Sequence, residues 1–279
     1  MSTRTTTAHR EITAHRRGHA PRHSACGVLL SECVKFWSLR SSRWCLATLA
    51  MVQVGLCALT APTIGKVPFQ VEGPLGLSGS DTSVNAFEFI VAGAGADAFV
   101  VAVLGILVVA GEYSSGHIRS TFLAVPKRLP VLWAKSVVVA LSVFLVAIVS
   151  FAISYIPVLL VLLSNSMRIT PFTIGAIAPL LGAAVYLALI SVFSLAVGVC
   201  VRSMAGGLAV VLGLLLLMPI VLMSIQTTWA KQLFLFLPSA GMGIFQQASQ
   251  GPWLSAVVIS CWVVLSLLAA AILLKRRDV

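Results

Sequence analysis

Charge is scarce in this sequence, and acidic residues are scarcer than basic ones. Charged residues make up 10% of the 279 residues, with eight Asp and Glu against 19 Lys and Arg, while apolar residues make up 59%. A soluble domain averages about a quarter charged and about half apolar residues. Several apolar runs exceed the roughly 18 residues that indicate a membrane-spanning helix. The composition therefore excludes an ordinary soluble domain and predicts a polytopic membrane protein.

The sequence also lacks the motifs of ATP-binding and hydrolytic enzymes. Gly65 and Lys66 are followed by Val67, so they do not form the Gly-Lys-Ser/Thr end of a phosphate-binding loop. There is no His-Glu-x-x-His motif, no Gly-x-Ser-x-Gly motif and no His within an apolar run. We therefore predict that the chain is not an enzyme and carries no catalytic residue and no cofactor of its own. If ATP and Mg²⁺ drive it, they bind to a separate ATPase chain.

Cysteine and histidine do not occur in metal-binding or disulfide patterns. The six Cys lie mostly inside or beside apolar runs, and no Cys-x-x-Cys or Cys/His ligand spacing occurs. Small buried apolar side chains are the simpler interpretation of these residues. Four His at irregular spacing precede residue 24, where a solvated tail is a simpler explanation than a metal site. The sequence thus predicts neither a metal site nor a disulfide framework.

Three regions follow one another along the chain. Residues 1–23 are rich in Thr, Arg and His, without the apolar core of a signal peptide, and are predicted to be a disordered cytoplasmic tail. Residues 24–43 place apolar side chains on one helical face between charged ones, which predicts an amphipathic helix lying in the membrane interface. Residues 44–279 contain the long apolar runs and are predicted to be a six-helix transmembrane domain. The predicted fold class is therefore all-α.

The apolar runs place the six spans along the chain. We expect them at about 44–62, 87–111, 132–163, 174–201, 208–225 and 253–274. Between the last two spans, residues 226–253 are too interrupted by Pro and Gly to cross the membrane. This segment is predicted to form a short interfacial or re-entrant pair of helices on the outer side.

The distribution of Lys and Arg predicts the orientation. Eight lie before residue 44, four in 119–135, one at Arg202 and three at the C-terminus, which makes sixteen on one side. The other side holds only Lys66, Arg168 and Lys231. Because basic residues are retained in the cytoplasm, both termini are expected there, in a multi-pass protein of the cell membrane. Basic residues beside spans also suit anionic lipid, so nucleic acid is not expected as a partner.

The connection between the second and third spans has a pattern of its own. Residues 111–135 read GEYSSGHIRSTFLAVPKRLPVLWAK, in which Ile118, Phe122 and Val125 share one helical face and Pro126 ends the segment. A short amphipathic helix on a basic inner face can bind a soluble partner protein. The sequence therefore predicts a docking helix in this loop.

This connection resembles the first cytoplasmic loop of ABC transporter permeases of the type-2 exporter family. The matching residues are Glu112, Tyr113, Gly116, Ile118, Arg119, Thr121, Ala124, Val125, Pro126, Arg128, Ala134 and Lys135. The family usually has Thr after the Gly, where this chain has His117. A second, shorter stretch around Glu32, Lys35 and Arg40 resembles the elbow helix of the same family.

The resemblance implies a membrane-spanning permease subunit of an ATP-driven exporter. In such a system two permease subunits, identical or different, form the path, and two cytoplasmic ATPases dock on the inner loops. The loop helix would be the coupling helix, with coupling or ATPase contacts at Glu112, Gly116, Ile118, Arg119, Phe122, Val125, Pro126 and Arg128. Simpler roles stay open: Glu112 as an interfacial charge and Arg119 as a contact to lipid phosphate. The substrate could be a drug, a lipid or a hydrophobic peptide.

Asp97 keeps two other functions open. It falls midway along the predicted second span, where a carboxylate is a candidate for a translocation path or a proton relay. The alternative is that it is protonated or hydrogen-bonded within the bundle. An ion-coupled secondary transporter using Asp97 is one competing function. A non-transporting immunity or sensor protein that binds a peptide at outer residues 229–245 is the other.

Overall fold

The computed structural model describes residues 25–63, 70–71, 77–78, 90–91, 93–114, 128–164, 174–225, 227–244 and 252–276. The predicted tail 1–23 lies outside the described residues. Residues 115–127, the centre of the predicted coupling segment, lie outside them as well. Apart from two short strands, β1 (Gln70–Val71) and β2 (Leu77–Ser78), which pair antiparallel, nearly all described residues are helical. The all-helical prediction is therefore confirmed.

Nine α-helices make up most of the described part of the chain. They are α1 (Ala25–Ser38), α2 (Arg40–Thr60), α3 (Ala94–Ser114), α4 (Arg128–Ser164), α5 (Ile174–Val201), α6 (Met204–Leu212), α7 (Met218–Ser224), α8 (Thr228–Phe234) and α9 (Pro252–Arg276). Short 3₁₀ segments cover Ala61–Thr63 and Pro238–Ile244, and a π-helical segment covers Gly213–Leu217. Counting Met204–Ser224 as one, six of the described helices are long and apolar enough to cross a membrane. This agrees with the predicted number of spans and indicates a multi-pass membrane protein.

The predicted amphipathic segment 24–43 is divided in two. Leu39 between α1 and α2 has an extended backbone, with φ −72° and ψ 122°. Its amide still donates to the Lys35 carbonyl oxygen at 3.3 Å, and its own carbonyl accepts from Arg43 at 3.4 Å. One residue therefore changes the helix direction without leaving these backbone groups unpaired. Arg40, predicted to lie on the amphipathic helix, is instead the first residue of α2.

Helix α5 is the centre of the bundle and packs against α3, α4, α6 and α9. The backbones of α5 and α3 approach each other closely at Gly105, which lacks a side chain. A Cβ atom on Gly105 would lie 2.6 Å from the Ser191 carbonyl oxygen and 2.9 Å from the Leu195 nitrogen. Small residues allow two membrane helices to approach closely.

The turn between α5 and α6 is shorter than predicted. The sequence suggested a turn over 202–207, whereas only Arg202 and Ser203 separate the two helices. Arg202 adopts a left-handed backbone with φ 54°. The Ser203 hydroxyl then accepts the amide of Gly206 at 3.4 Å, which caps the start of α6. This cap begins the fifth span at Met204 instead of at residue 208.

A π-helical segment divides the fifth span. Met218 donates its amide to the carbonyl oxygen of Gly213, five residues earlier, and Pro219 follows directly. Proline has no amide hydrogen and its ring crowds the preceding turn, so a wider turn accommodates it within a continuous helix.

The segment before α9, predicted to lie on the outer side, packs between two helices of the bundle. The indole nitrogen of Trp262 on α9 donates to the Phe236 carbonyl oxygen at 2.7 Å. A Cβ on Gly241 would lie 2.9 Å from both Ile259 of α9 and the Tyr186 ring of α5. The 3₁₀ segment Pro238–Ile244 is therefore held against the side of the bundle.

Helix α4 has one buried and one exposed face. Large apolar side chains at four-residue spacing are exposed on it: Trp133, Val137, Leu141, Leu145, Val149 and Ile153. Buried apolar residues of the opposite face include Val139, Val143, Ala147 and Phe151. A helix packed on one side and surrounded by lipid on the other needs this distribution.

Candidate functional site

A buried ion pair joins α1 to α4 at the end of the bundle where charge predicts the cytoplasm. The ammonium of Lys135 lies 3.5 Å from the carboxylate of Glu32, and each side chain is only 8% exposed. Glu32 belongs to the shorter of the two family-like stretches and Lys135 to the longer one. The two stretches, far apart in sequence, therefore meet in space.

The surroundings of this pair are mostly apolar. A crevice of about 10 Å³ beside it is lined by residues of three helices and the Leu39 break: Glu32, Lys35, Phe36, Leu39, Val108, Lys135, Val138 and Val139. Phe36 is itself almost completely buried. Removing one charge of such a pair leaves the other buried and uncompensated, which typically costs about 3–5 kcal/mol. The pair is thus a firm attachment of α1 to the bundle.

The three residues predicted for the elbow helix have different environments. Glu32 is buried in the ion pair, and Lys35 is partly buried at the edge of the crevice. Arg40 is exposed and stands at the start of α2. The structure thus brings Glu32 and Lys35 together with Lys135, and it does not bring Arg40 to them.

The predicted coupling residues surround the part of the chain that is not described. Gly116, Ile118, Arg119, Phe122, Val125 and Pro126 lie outside the described residues. Glu112 is in the last turn of α3, and Arg128 begins α4. Lys135 lies seven residues into α4, about 10 Å along its axis. The chain that leaves the predicted coupling segment therefore reaches the Glu32 contact within two turns.

Asp97 is completely buried in the first turn of α3. The sequence had placed it midway along the span, but the helix begins at Ala94. Within the described part of the chain, neither of its carboxyl oxygens has a hydrogen-bond partner. Burying a carboxyl group without a hydrogen-bond partner is costly, so this position needs an explanation.

Gln53 of α2 is the polar neighbour of this turn. Its amide nitrogen donates to the Ile90 carbonyl oxygen at 2.7 Å and lies 3.5 Å from the Cys57 sulfur. Its side-chain oxygen has no hydrogen-bond partner in the residues that the structure describes. That oxygen lies against Gly93, where a Cβ atom would be only 2.5 Å away. The Asp97 amide donates to the Gly93 carbonyl oxygen at 3.2 Å, so Asp97 lies one helical turn after the residue that Gln53 contacts.

Ser154 of α4 is a further polar residue near Cys57. Its hydroxyl is completely buried, lies beside the Cys57 thiol and makes no geometrically good hydrogen bond. Ser136 and Ser150 of the same helix instead donate to the carbonyl oxygens four residues earlier. Polar groups from three helices therefore gather around Cys57.

The sequence prediction did not include Gln53 or Ser154. A Gln inside an apolar run was the signal that could have identified the first, because a long amide needs partners when buried. Ser154 carried no such signal, since most Ser in a membrane helix bond to their own backbone. Among the described residues, no group of three His, Cys, Asp or Glu could hold a metal ion.

Comparisons with known proteins do not identify a family. No family model and no curated protein matches the chain. The resemblance to type-2 exporters therefore depends on the motif residues alone.

Proposed function

We propose that this chain is the membrane-spanning permease subunit of an ATP-driven exporter of the ABC type-2 class. The observation that carries the proposal is the contact between Glu32 and Lys135. It joins the two stretches that resemble this family, and these stretches were identified independently in the sequence. The number of apolar helices is also the number that such a permease needs.

The proposed mechanism passes motion from a soluble ATPase to the membrane helices. The loop between α3 and α4 contains the coupling helix, whose apolar face of Ile118, Phe122 and Val125 docks on the ATPase. Movement of that loop displaces the inner end of α4. Because Lys135 holds Glu32, α1 moves with α4, and the displacement reaches the lipid interface as well as the bundle.

ATP and Mg²⁺ bind to the partner ATPase in this proposal. The chain has no phosphate-binding loop of its own. Burial of three apolar side chains contributes at most roughly 1.5–3 kcal/mol each, before the costs of association. A single coupling helix is therefore a weak anchor. We expect an assembly of two permeases, identical or different, with two ATPases, which moves a hydrophobic or amphipathic substrate outward.

The elbow and re-entrant elements of this class have candidates in the fold. Helix α1 is held at the inner end of α4, where an elbow helix would lie. Residues Pro238–Ile244 contact Ile259, seven residues or about 10 Å into α9. That depth supports a re-entrant segment on the outer side.

Phe122→Asp tests the docking of the ATPase. A charge in the centre of the apolar face should reduce co-purification of the ATPase encoded beside this gene at least tenfold, with membrane insertion unchanged. Ser120→Asp is the matched control, because residue 120 lies on the opposite face of the same predicted helix. Export in cells that lack any partner ATPase, or full ATPase retention by Phe122→Asp, would favour a secondary transporter or a non-transporting sensor instead.

A further inference from the structure

The polar residues between α2 and α3 have more acceptors than donors. The side-chain oxygen of Gln53 and both carboxyl oxygens of Asp97 are buried and have no hydrogen-bond partner among the described residues. The side-chain nitrogen of Gln53 already donates a hydrogen bond to the Ile90 carbonyl oxygen, at 2.7 Å. The amides of Ala96 and Asp97 both donate to the Gly93 carbonyl oxygen, at 3.0 and 3.2 Å. Among the described residues, this place therefore lacks one hydrogen-bond donor and one positive charge.

No cationic side chain of the neighbouring helices supplies that charge. On α2, the Arg residues lie toward the opposite end, and Arg43 precedes Gln53 by ten residues, about 15 Å along the axis. On α4, Lys135 is bound to Glu32 at that same end. The titratable groups on the described parts of the neighbouring helices near this level are the Cys57 thiol of α2, Tyr155 of α4 and Tyr186 of α5. Helix α6 contributes none. None of these groups is a cation.

We propose that Asp97 and Gln53 form a proton-binding site inside the membrane domain. One proton adds to the Asp97 carboxylate, and the resulting hydroxyl donates to the side-chain oxygen of Gln53. The single proton thus provides both the missing charge and the missing donor, and no electrons are transferred. The site depends on described residues alone and does not require the proposed exporter function.

A proton suits this site better than a metal cation. Metal sites in broken membrane helices are completed by free backbone carbonyls. Here the carbonyl oxygens of Ile90 and Gly93 already accept hydrogen bonds. The contact between Gln53 and Gly93 is too close even for a methyl group. A proton needs no cavity and only one carboxylate.

Infrared spectroscopy of the full-length protein in lipid nanodiscs tests the proposal. At neutral pH the wild type should show the carbonyl stretch of a protonated carboxylic acid, with a downshift in D₂O. Asp97→Asn should abolish this band. Gln53→Leu should keep the band and move it to higher frequency, because the hydrogen bond to the amide oxygen is lost. Ser150→Ala is the control, since its hydroxyl bonds within α4 and should leave the band in place.

The result that overturns the proposal is equally specific. A wild-type spectrum without a band that depends on Asp97 would mean an ionised carboxylate. A carboxylate band that changes when Na⁺ is replaced by choline would assign the site to a metal cation. If Asp97→Asn does not insert, the Gln53→Leu shift decides alone, and an unshifted band rejects the pairing.

Discussion

Glu32 and Lys135 are shielded from water on nearly all sides, which determines how they affect stability. Removing two charges from water costs several kcal/mol for each, and their mutual attraction only partly offsets that cost. The pair therefore contributes little net stability compared with two apolar residues. Its value lies in the penalty for separating the partners. That penalty keeps α1 and α4 in one arrangement.

Lys135→Met should destabilise the protein by about 3 kcal/mol, because it leaves the Glu32 carboxylate buried without a partner. Unfolding of the detergent-solubilised protein by denaturant measures this loss. The double variant Glu32→Gln with Lys135→Met should recover most of the stability. Arg40→Met is the control, since Arg40 is exposed. Equal stability of Lys135→Met and wild type would mean that the pair is not closed in the membrane-embedded protein.

The residue scale also shows the limit of prediction from sequence. The motifs identified Glu32 and Lys135 one at a time, but a pattern of spacing cannot reveal a contact between distant segments. Asp97 was recognised as unusual, because a carboxylate in an apolar run is costly. Gln53 was not recognised, because its importance depends on Gly93, just before α3, which leaves room for the amide.

At the scale of elements, the contact between α3 and α5 holds the centre of the bundle. The two backbones approach so closely at Gly105 that any side chain there must displace the Ser191 turn. Helices in lipid gain no hydrophobic energy from association, so close van der Waals packing is what holds them together. Loss of the close contact between α3 and α5 at Gly105 should therefore weaken the packing of the whole helix bundle.

Gly105→Ala should destabilise the protein by about 1–3 kcal/mol, as overpacking of a well-packed core does. Gly55→Ala is the matched control, because a Cβ at Gly55 of α2 meets nothing within 4 Å. That control should be neutral or stabilising by up to about 1 kcal/mol, since Gly weakens helix interiors. Thermal unfolding of both variants in one detergent compares them. Equal midpoints for the two variants would contradict the close approach.

Hydropathy predicted the existence of the spans better than their ends. Apolar length alone is enough to predict α4, α5 and α9. The ends depend on local backbone chemistry that composition does not show. Leu39 breaks the helix although its side chain is a good helix former, and the Ser203 cap begins α6 earlier than the apolar run suggests. The π-helical turn before Pro219 follows from the missing amide of proline, which predicts a disturbance but not its form.

At the scale of the whole molecule, the asymmetry of Lys and Arg predicts the orientation in the membrane. We expect a Cys at position 83 to react with an impermeant thiol reagent from outside intact cells. A Cys at position 117 should react only after the cells are opened. Both substitutions are made after replacing the six native Cys, which removes the background. Labelling of position 117 from outside would reverse the orientation and remove the docking surface from the cytoplasm.

The length of α4 has a consequence for the lipid itself. With 37 residues, the helix is about 55 Å long, whereas the hydrocarbon core of a bilayer is only about 30 Å thick. Its exposed apolar face continues from Trp133 to Leu163. Such hydrophobic mismatch is relieved by tilt or by a thicker bilayer. The thermal midpoint should therefore rise as the protein is reconstituted in lipids of increasing acyl-chain length. A midpoint independent of chain length would exclude this dependence. Because mismatch sorts proteins among membranes, α4 favours the thicker lipid environments available to the cell.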